Sequence, residues 1–95
     1  MVYYVYILQS LKDHSYYKGF TENPLLRLER HNNGESSYTR NKIPWKIVYL
    51  ESIVLKRETL IREMALKKYS HQQIEQLIAS SKNSLTEFMG GSSAG

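Results

Sequence analysis

The chain has 95 residues, with thirteen Lys and Arg against nine Asp and Glu and a formal net charge of +4. That length makes one domain with a single core and leaves no room for a second catalytic domain; the modest basic excess favours an anionic partner without identifying it. There is no cysteine, which excludes a disulfide frame, a thiolate nucleophile and a cysteine zinc site and fits a reducing cytoplasm. Asp13 is the only aspartate, which argues against a nuclease centre built on clustered aspartates holding two metals. The histidines, His14, His31 and His71, lack metal-motif spacing. The apolar run from Val2 to Leu8 is short and rich in tyrosine, so neither an export signal nor a membrane span is read.

Residues 2 to 9 are Val, Ile and Tyr-rich and apolar at both parities, the pattern of a strand covered on both sheet faces. Ser10 to His14 is turn-like, and Ser15 to Thr21 resumes the strand pattern, so the two segments read as an antiparallel hairpin. A tight turn with Ser10 opposite Asp13 sets Tyr6 directly across from Tyr17; a bulge or shifted turn makes them diagonal neighbours. Asn23-Pro24 starts a helix, with a capping acceptor followed by proline where its missing N–H is harmless. That helix runs to His31 and stops at Asn32-Asn33-Gly34. Leu25, Leu28 and part of Leu26 are expected on its core face, with Arg27, Arg30 and His31 sharing another.

Residues 35 to 45 are a polar, basic connection, and Lys46 to Val54 is a third strand. Lys56 to Tyr69 is helical, with Leu60, Ile61, Met64 and Ala65 on one side and Glu63 well away from them. Residues 71 to 79 form a further amphipathic helix. The expected architecture is α+β: a central three-stranded antiparallel sheet flanked by helices in the order β-β-α-β-α-α, over residues 1–82, with a polar, flexible tail at 83–95.

Val5-Tyr6-Ile7, Tyr17-Lys18-Gly19, Arg27-Leu28-Glu29-Arg30-His31-Asn32, Thr39-Arg40, Pro44-Trp45-Lys46-Ile47-Val48-Tyr49 and Arg62-Glu63 occur in that order. Each piece is common alone. As an ordered set across residues 2 to 79, they resemble the GIY-YIG nuclease domain, most closely its small stand-alone bacterial members. Val5 stands where the family has its first glycine, and Lys18 where it has an isoleucine. Excision-repair and homing nucleases of that superfamily carry additional DNA-binding regions, for which this chain has no room.

The resemblance implies a metal-dependent endonuclease acting on DNA or structured nucleic acid, with DNA ahead of RNA as partner. Glu63 is then the ligand of one divalent ion, Mg²⁺ or Mn²⁺, completed by phosphate and waters. Arg27, always charged and fork-shaped, braces the scissile phosphate. Tyr6 is the family's candidate general base, with Tyr17 beside it; a free tyrosine has a pKa of about 10 and needs cationic help to act near neutrality. His31 is the other candidate, taking the proton directly or through Tyr6. Lys18, Arg30, Arg40 and Lys42 are candidate nucleic-acid contacts. Trp45 reads as core, and His14 and His71 as surface. The rival reading is a non-cleaving nucleic-acid-binding module that keeps the fold. No membrane partner is expected, and a monomer is the default.

Overall fold

A computed structural model describes residues 1–90. Strands β1 (Tyr3–Ser10), β2 (Tyr16–Thr21) and β3 (Trp45–Ile53) form one antiparallel sheet in the order β2-β1-β3. Helix α1 (Pro24–Asn32) follows β2, and a short 3-10 turn (Arg40–Lys42) leads into β3. Helices α2 (Lys56–Lys67), α3 (His71–Ile78) and α4 (Leu85–Phe88) complete the chain. The α+β architecture with its central three-stranded sheet is thus the one expected.

Strand β1 is apolar at both parities because it is central, and Val5 to Leu8 are at most 1% exposed. Val5 and Ile7 point into a core closed by Leu66 of α2 and by Ile74 and Leu77 of α3. Tyr6 and Leu8 point the other way, into a core with Trp45, Leu50, Leu28, Leu85 and Phe88. In β3 the pairing with β1 shifts between Ile7 and Leu8, so Val48 is an extra residue. Such a bulge reverses the parity of the strand beyond it. Trp45 and Ile47 therefore reach the same face as Leu50 and Tyr6.

Helix capping follows the local sequence. Asn23 accepts a hydrogen bond from the Leu26 N–H at 3.2 Å with Pro24 next to it, and Ser70 and Gln73 form a reciprocal capping box ahead of α3.

Helix α2 is rotated relative to expectation. Ile61 and Met64 are 58% and 60% exposed, while Thr59, Arg62, Glu63 and Leu66 face the sheet. The core beneath contains a polar group that Ile61 could not satisfy. The buried Tyr49 hydroxyl donates to Glu51 Oε1 at 2.6 Å, and Arg62 Nε donates to the same oxygen at 3.1 Å. A buried hydroxyl and a half-buried carboxylate draw in a partner, which turns Arg62 inward and the aliphatic stripe outward.

The expected tail also differs, because a packed segment runs past residue 82. Asn83 uses its whole amide: Oδ1 accepts from the Leu50 and Leu85 N–H groups, and Nδ2 donates to the Val48 and Ile78 carbonyls. The Ser84 N–H donates to the Leu50 carbonyl at 2.7 Å, so this segment covers part of the outer edge of β3. Phe88 then packs edge-on to Tyr4. The polar composition of the segment hid one fully used asparagine. Residues 91–95 of the expected tail lie outside the described residues.

Candidate active site

The hairpin register sets the first part of the site. Tyr6 pairs with Gly19 and Leu8 with Tyr17, so Tyr6 and Tyr17 are diagonal neighbours rather than directly opposed. The connection is longer than the tight turn expected: Ser10 N–H donates to Ser15 C=O at 2.9 Å, and His14 closes the loop at a φ of 66°. Ser10 Oγ stabilises this loop by accepting from the Lys12 and Asp13 N–H groups and donating to the Lys42 carbonyl. Asp13 accepts from both the Ser15 N–H and its hydroxyl, which holds its carboxyl down at about 2. A slip of two residues leaves every side chain on its original face. Tyr17 therefore stays on the Tyr6 side, with ring centroids 6.3 Å apart.

Gly19 is the residue over which the Tyr6 phenol lies. A Cβ at position 19 would stand 2.7 Å from the phenol oxygen. The glycine of Tyr17-Lys18-Gly19 is thus required by close approach of a side chain, not by an unusual backbone angle.

Helix α1 supplies the imidazole. Contrary to the expected faces, Leu25 and Leu26 are 48% and 41% exposed, and His31 is buried with Pro24 and the inward-facing Leu28. The helix turns this way because His31 has two polar partners in the core. Its Nε2 is 3.1 Å from the Tyr6 hydroxyl, and its Nδ1 is 2.8 Å from Thr39 Oγ1. The Tyr17 ring lies against it at 4.9 Å.

The electrostatics follow from burial. Tyr6 is 1% exposed, and desolvation pushes its pKa well above the ordinary value; Tyr17 and Glu63 add to the rise and Arg27 opposes it. Burial and then the Arg27 charge hold His31 below its ordinary value, so its ring is neutral at neutral pH. A buried phenol is thus joined to a neutral imidazole.

Two cavities flank Tyr17. One, of about 270 Å³, is lined by Tyr17, Arg27, Arg30, His31, Glu35 and Ser36. The other, of about 430 Å³, is lined by Tyr16, Tyr17, Lys18, Tyr38 and Lys67. Tyr38 is 72% exposed and leans on Tyr17 with centroids 5.8 Å apart. Lys18 is half-buried, which lowers its pKa. Arg40 and Lys42, in the 3-10 turn, line neither cavity; Lys42 pairs with Asp13 at 3.7 Å. Arg40 is exposed.

Tyr6, Tyr17, Arg27 and His31 are therefore brought together. Glu63 approaches from α2, across the sheet edge. Its side chain is only 14% exposed and pairs with Lys67 at 3.4 Å, and its charge acts on Tyr6 without a hydrogen bond to it among the described residues. Periodicity placed Glu63 away from the aliphatic stripe; because that stripe faces outward, Glu63 faces in. Among the described residues no three His, Cys, Asp or Glu side chains form a metal cluster. One inward carboxylate is a donor set that suits a hard cation completed by phosphate and water, and not a metal held by protein alone.

The GIY-YIG catalytic domain, as a sequence family, matches residues 2–76. The chain belongs to this family. A UPF0213 protein of Clostridium perfringens is 47% identical over 78 residues, covering 81% of this chain and 83% of the relative. A UPF0213 protein of Bacillus licheniformis is 40% identical over 77 residues, covering 80% and 78%. The solution NMR structure of a UPF0213 protein from Bacillus halodurans covers 99% of this chain and all of that one, at 30% identity and a TM-score of 0.57. The GIY-YIG half-motifs are here Val5-Tyr6-Ile7 and Tyr17-Lys18-Gly19. Val5 is fully buried in the central strand, and Lys18 reaches the second cavity.

Gly19, Asn32, Thr39 and Trp45 stand within the motif pieces that carry the resemblance, yet none of them has a role in the site on sequence grounds. Gly19 had a signal, the Tyr-x-Gly triplet. Thr39 had only the Thr39-Arg40 piece, and nothing tied it to His31, since a threonine eight residues after a histidine carries no periodic pattern. Among the described residues no helix is long and apolar enough to cross a membrane.

Proposed function

We propose that this GIY-YIG protein is a metal-dependent endonuclease that hydrolyses phosphodiester bonds in DNA. The observation that carries the reading is the hydrogen bond between the Tyr6 phenol and the neutral His31 ring, beside the Arg27-lined cavity. Hydrolysis needs a proton taken from water, charge neutralised on the phosphoryl oxygens and a stabilised leaving oxygen. With its pKa raised, Tyr6 holds almost no phenolate in the free protein. The phenol therefore passes a proton on. As the attacking water gives a proton to the Tyr6 oxygen, the phenolic proton moves to His31 Nε2. The new bond forms between the water oxygen and phosphorus, the bond to the leaving oxygen breaks, and His31 ends as imidazolium.

Arg27 binds the phosphoryl oxygens through its guanidinium, and the Tyr17 hydroxyl orients the same group from the shared wall of the two cavities. Lys18, Arg30 and Lys67 attract the flanking phosphates, and exposed Tyr38 offers a face for a base. Arg40 and Lys42, farther along the connection, contact backbone outside the cavities. Glu63 would hold a Mg²⁺ or Mn²⁺ ion, whose charge would be shared with the phosphate and leaving oxygens.

The test is incubation with branched, nicked, single-stranded and duplex DNA in Mg²⁺ or Mn²⁺, comparing wild type with Arg27→Ala and Glu63→Ala. Cleavage lost in both variants is the expected result. Equal cleavage by all three overturns the proposal, and salt-sensitive binding without turnover replaces it with a non-cleaving binding module.

A further inference from the structure

His31 reaches Tyr6 with one ring nitrogen and Thr39 with the other, and Thr39 is itself held in place. Thr39 is fully buried. Its carbonyl accepts from the Trp45 indole N–H at 3.0 Å. Trp45 in turn is tied through its backbone to Asn32: its N–H donates to Asn32 Oδ1 at 2.6 Å, and its carbonyl accepts from Asn32 Nδ2 at 3.0 Å. Asn32 is the residue after His31. The ring of contacts His31, Asn32, Trp45, Thr39 thus closes on itself across α1, the connection and β3. The β3 bulge puts Trp45 on the face where this closure is made.

Two hydroxyls compete for the one lone pair of a neutral imidazole. A neutral ring has one N–H and one lone pair, so it accepts from one hydroxyl and donates to the other. Among the described residues His31 Nε2 is the one hydrogen-bond partner of the Tyr6 hydroxyl, and the nearby Arg27, which can only donate, offers it no acceptor. The phenol is the more acidic of the two hydroxyls, hence the stronger donor. It takes the ring lone pair. Thr39 is left to accept, which is also the only role open to it once His31 is protonated and both ring nitrogens donate.

We propose that Thr39 is a positioning residue that accepts the His31 Nδ1–H, so that Nε2 presents its lone pair to the Tyr6 hydroxyl and the three side chains form a phenol–imidazole–hydroxyl relay. The inference rests on the Tyr6–His31 proton transfer proposed above and adds the group that aims it. A base oriented by a third side chain is the arrangement that lets an imidazole take a proton at one fixed nitrogen. Here that third group is neutral, so it fixes the tautomer without adding a charge to the core. The charged or titratable groups around the relay are Tyr17 from β2, Arg27 from α1 and Glu63 from α2.

The experiment places the ring proton directly. Nitrogen-15 shifts of His31 are recorded in ring-labelled wild type, Thr39→Ser and Thr39→Val at a pH where the ring is neutral, and steady-state cleavage is measured on the same samples. Wild type and Thr39→Ser are expected to carry the proton on Nδ1. In Thr39→Val a buried Nδ1–H would have no acceptor, so the proton moves to Nε2 and blocks the phenol; kcat falls about 10-fold to 100-fold with KM unchanged. Thr39→Ser restores kcat, which a purely packing role for the threonine methyl would not do. A wild-type proton on Nε2, or an unchanged kcat in Thr39→Val, overturns the proposal. A wild type that cleaves no DNA would instead end the endonuclease reading, because the ring shifts report on Thr39 without turnover.

Discussion

Two tyrosines of this sheet, Tyr6 on the central strand and Tyr49 on β3, are both at most 1% exposed and both have pKa values raised by burial, yet they are built for different ends. Tyr49 points into the core beneath α2 and α3, and Tyr6 into the core beneath α1 and α4. The difference lies in the acceptor. Tyr49 donates to the Glu51 carboxylate, itself held by Arg62, and that hydrogen bond raises the phenol pKa further. A carboxylate far more acidic than a phenol holds the proton on Tyr49. Tyr6 faces a neutral imidazole, whose ordinary basicity lies nearer that of a phenol than a carboxylate's does, whereas a guanidinium favours proton loss at both, Arg27 at Tyr6 and Arg62 at Tyr49. One arrangement is a lock for the proton, the other a route for it.

Tyr6→Phe should break the comparison hardest. It removes the proton route while keeping the ring that packs over Gly19. Cleavage should fall by about 10²-fold to 10⁴-fold, the range of a general base, and stability by about 1–3 kcal/mol, because the buried His31 Nε2 loses its partner; near-normal turnover would show that Tyr6 is a second Tyr49. Gly19→Ala should come next. Its Cβ would stand 2.7 Å from the Tyr6 oxygen, so the phenol must move away from His31. A misplacement near 1 Å costs on the order of 10²-fold in rate, and forced overpacking costs about 1–3 kcal/mol of stability. Turnover and urea melts on one preparation measure both.

The sheet and the ends of its helices were legible because their signals are local. Val2 to Gln9 is apolar at both parities, and Asn23-Pro24 and the Asn32-Asn33-Gly34 stop need no knowledge of the rest of the chain. What was illegible depended on partners remote in sequence. Leu60, Ile61 and Met64 form the apolar stripe that periodicity assigns to the core, but the Tyr49–Glu51 pair needed Arg62 and turned the stripe outward. Periodicity set His31 on a face with Arg27 and Arg30, and its burial follows only from Tyr6 and Thr39, which satisfy both ring nitrogens. The hairpin register erred by two residues because Ser10 and Asp13 stabilise a longer loop, and the error spared the site because two is the period of a strand. Thr39 became visible only with the bulge and Trp45 in place.

Tyr49→Phe is the counterpart that should leave chemistry alone. It deletes one hydroxyl but keeps the Glu51–Arg62 pair, so about 1 kcal/mol of stability should be lost with kcat unchanged. A matching fall in turnover would show that the two faces are coupled through the sheet.

The smallest effect separates the faces by pH. His31 titrates below its ordinary value of 6.5, with burial the larger cause and Arg27 the second. The unfolded chain therefore binds this proton at a higher pH than the folded one. Stability from His31 is fully present above 6.5 and is lost as pH falls below that value toward the depressed folded pKa. Denaturant melts between about pH 5 and 8 should show stability falling on the acid side, and His31→Gln should remove that part of the slope. Arg27→Gln removes only the weaker cause, so the His31 titration followed by NMR should rise yet remain below 6.5. A rise to 6.5 or above would mean that the Arg27 charge, and not burial against Tyr6, keeps the imidazole neutral.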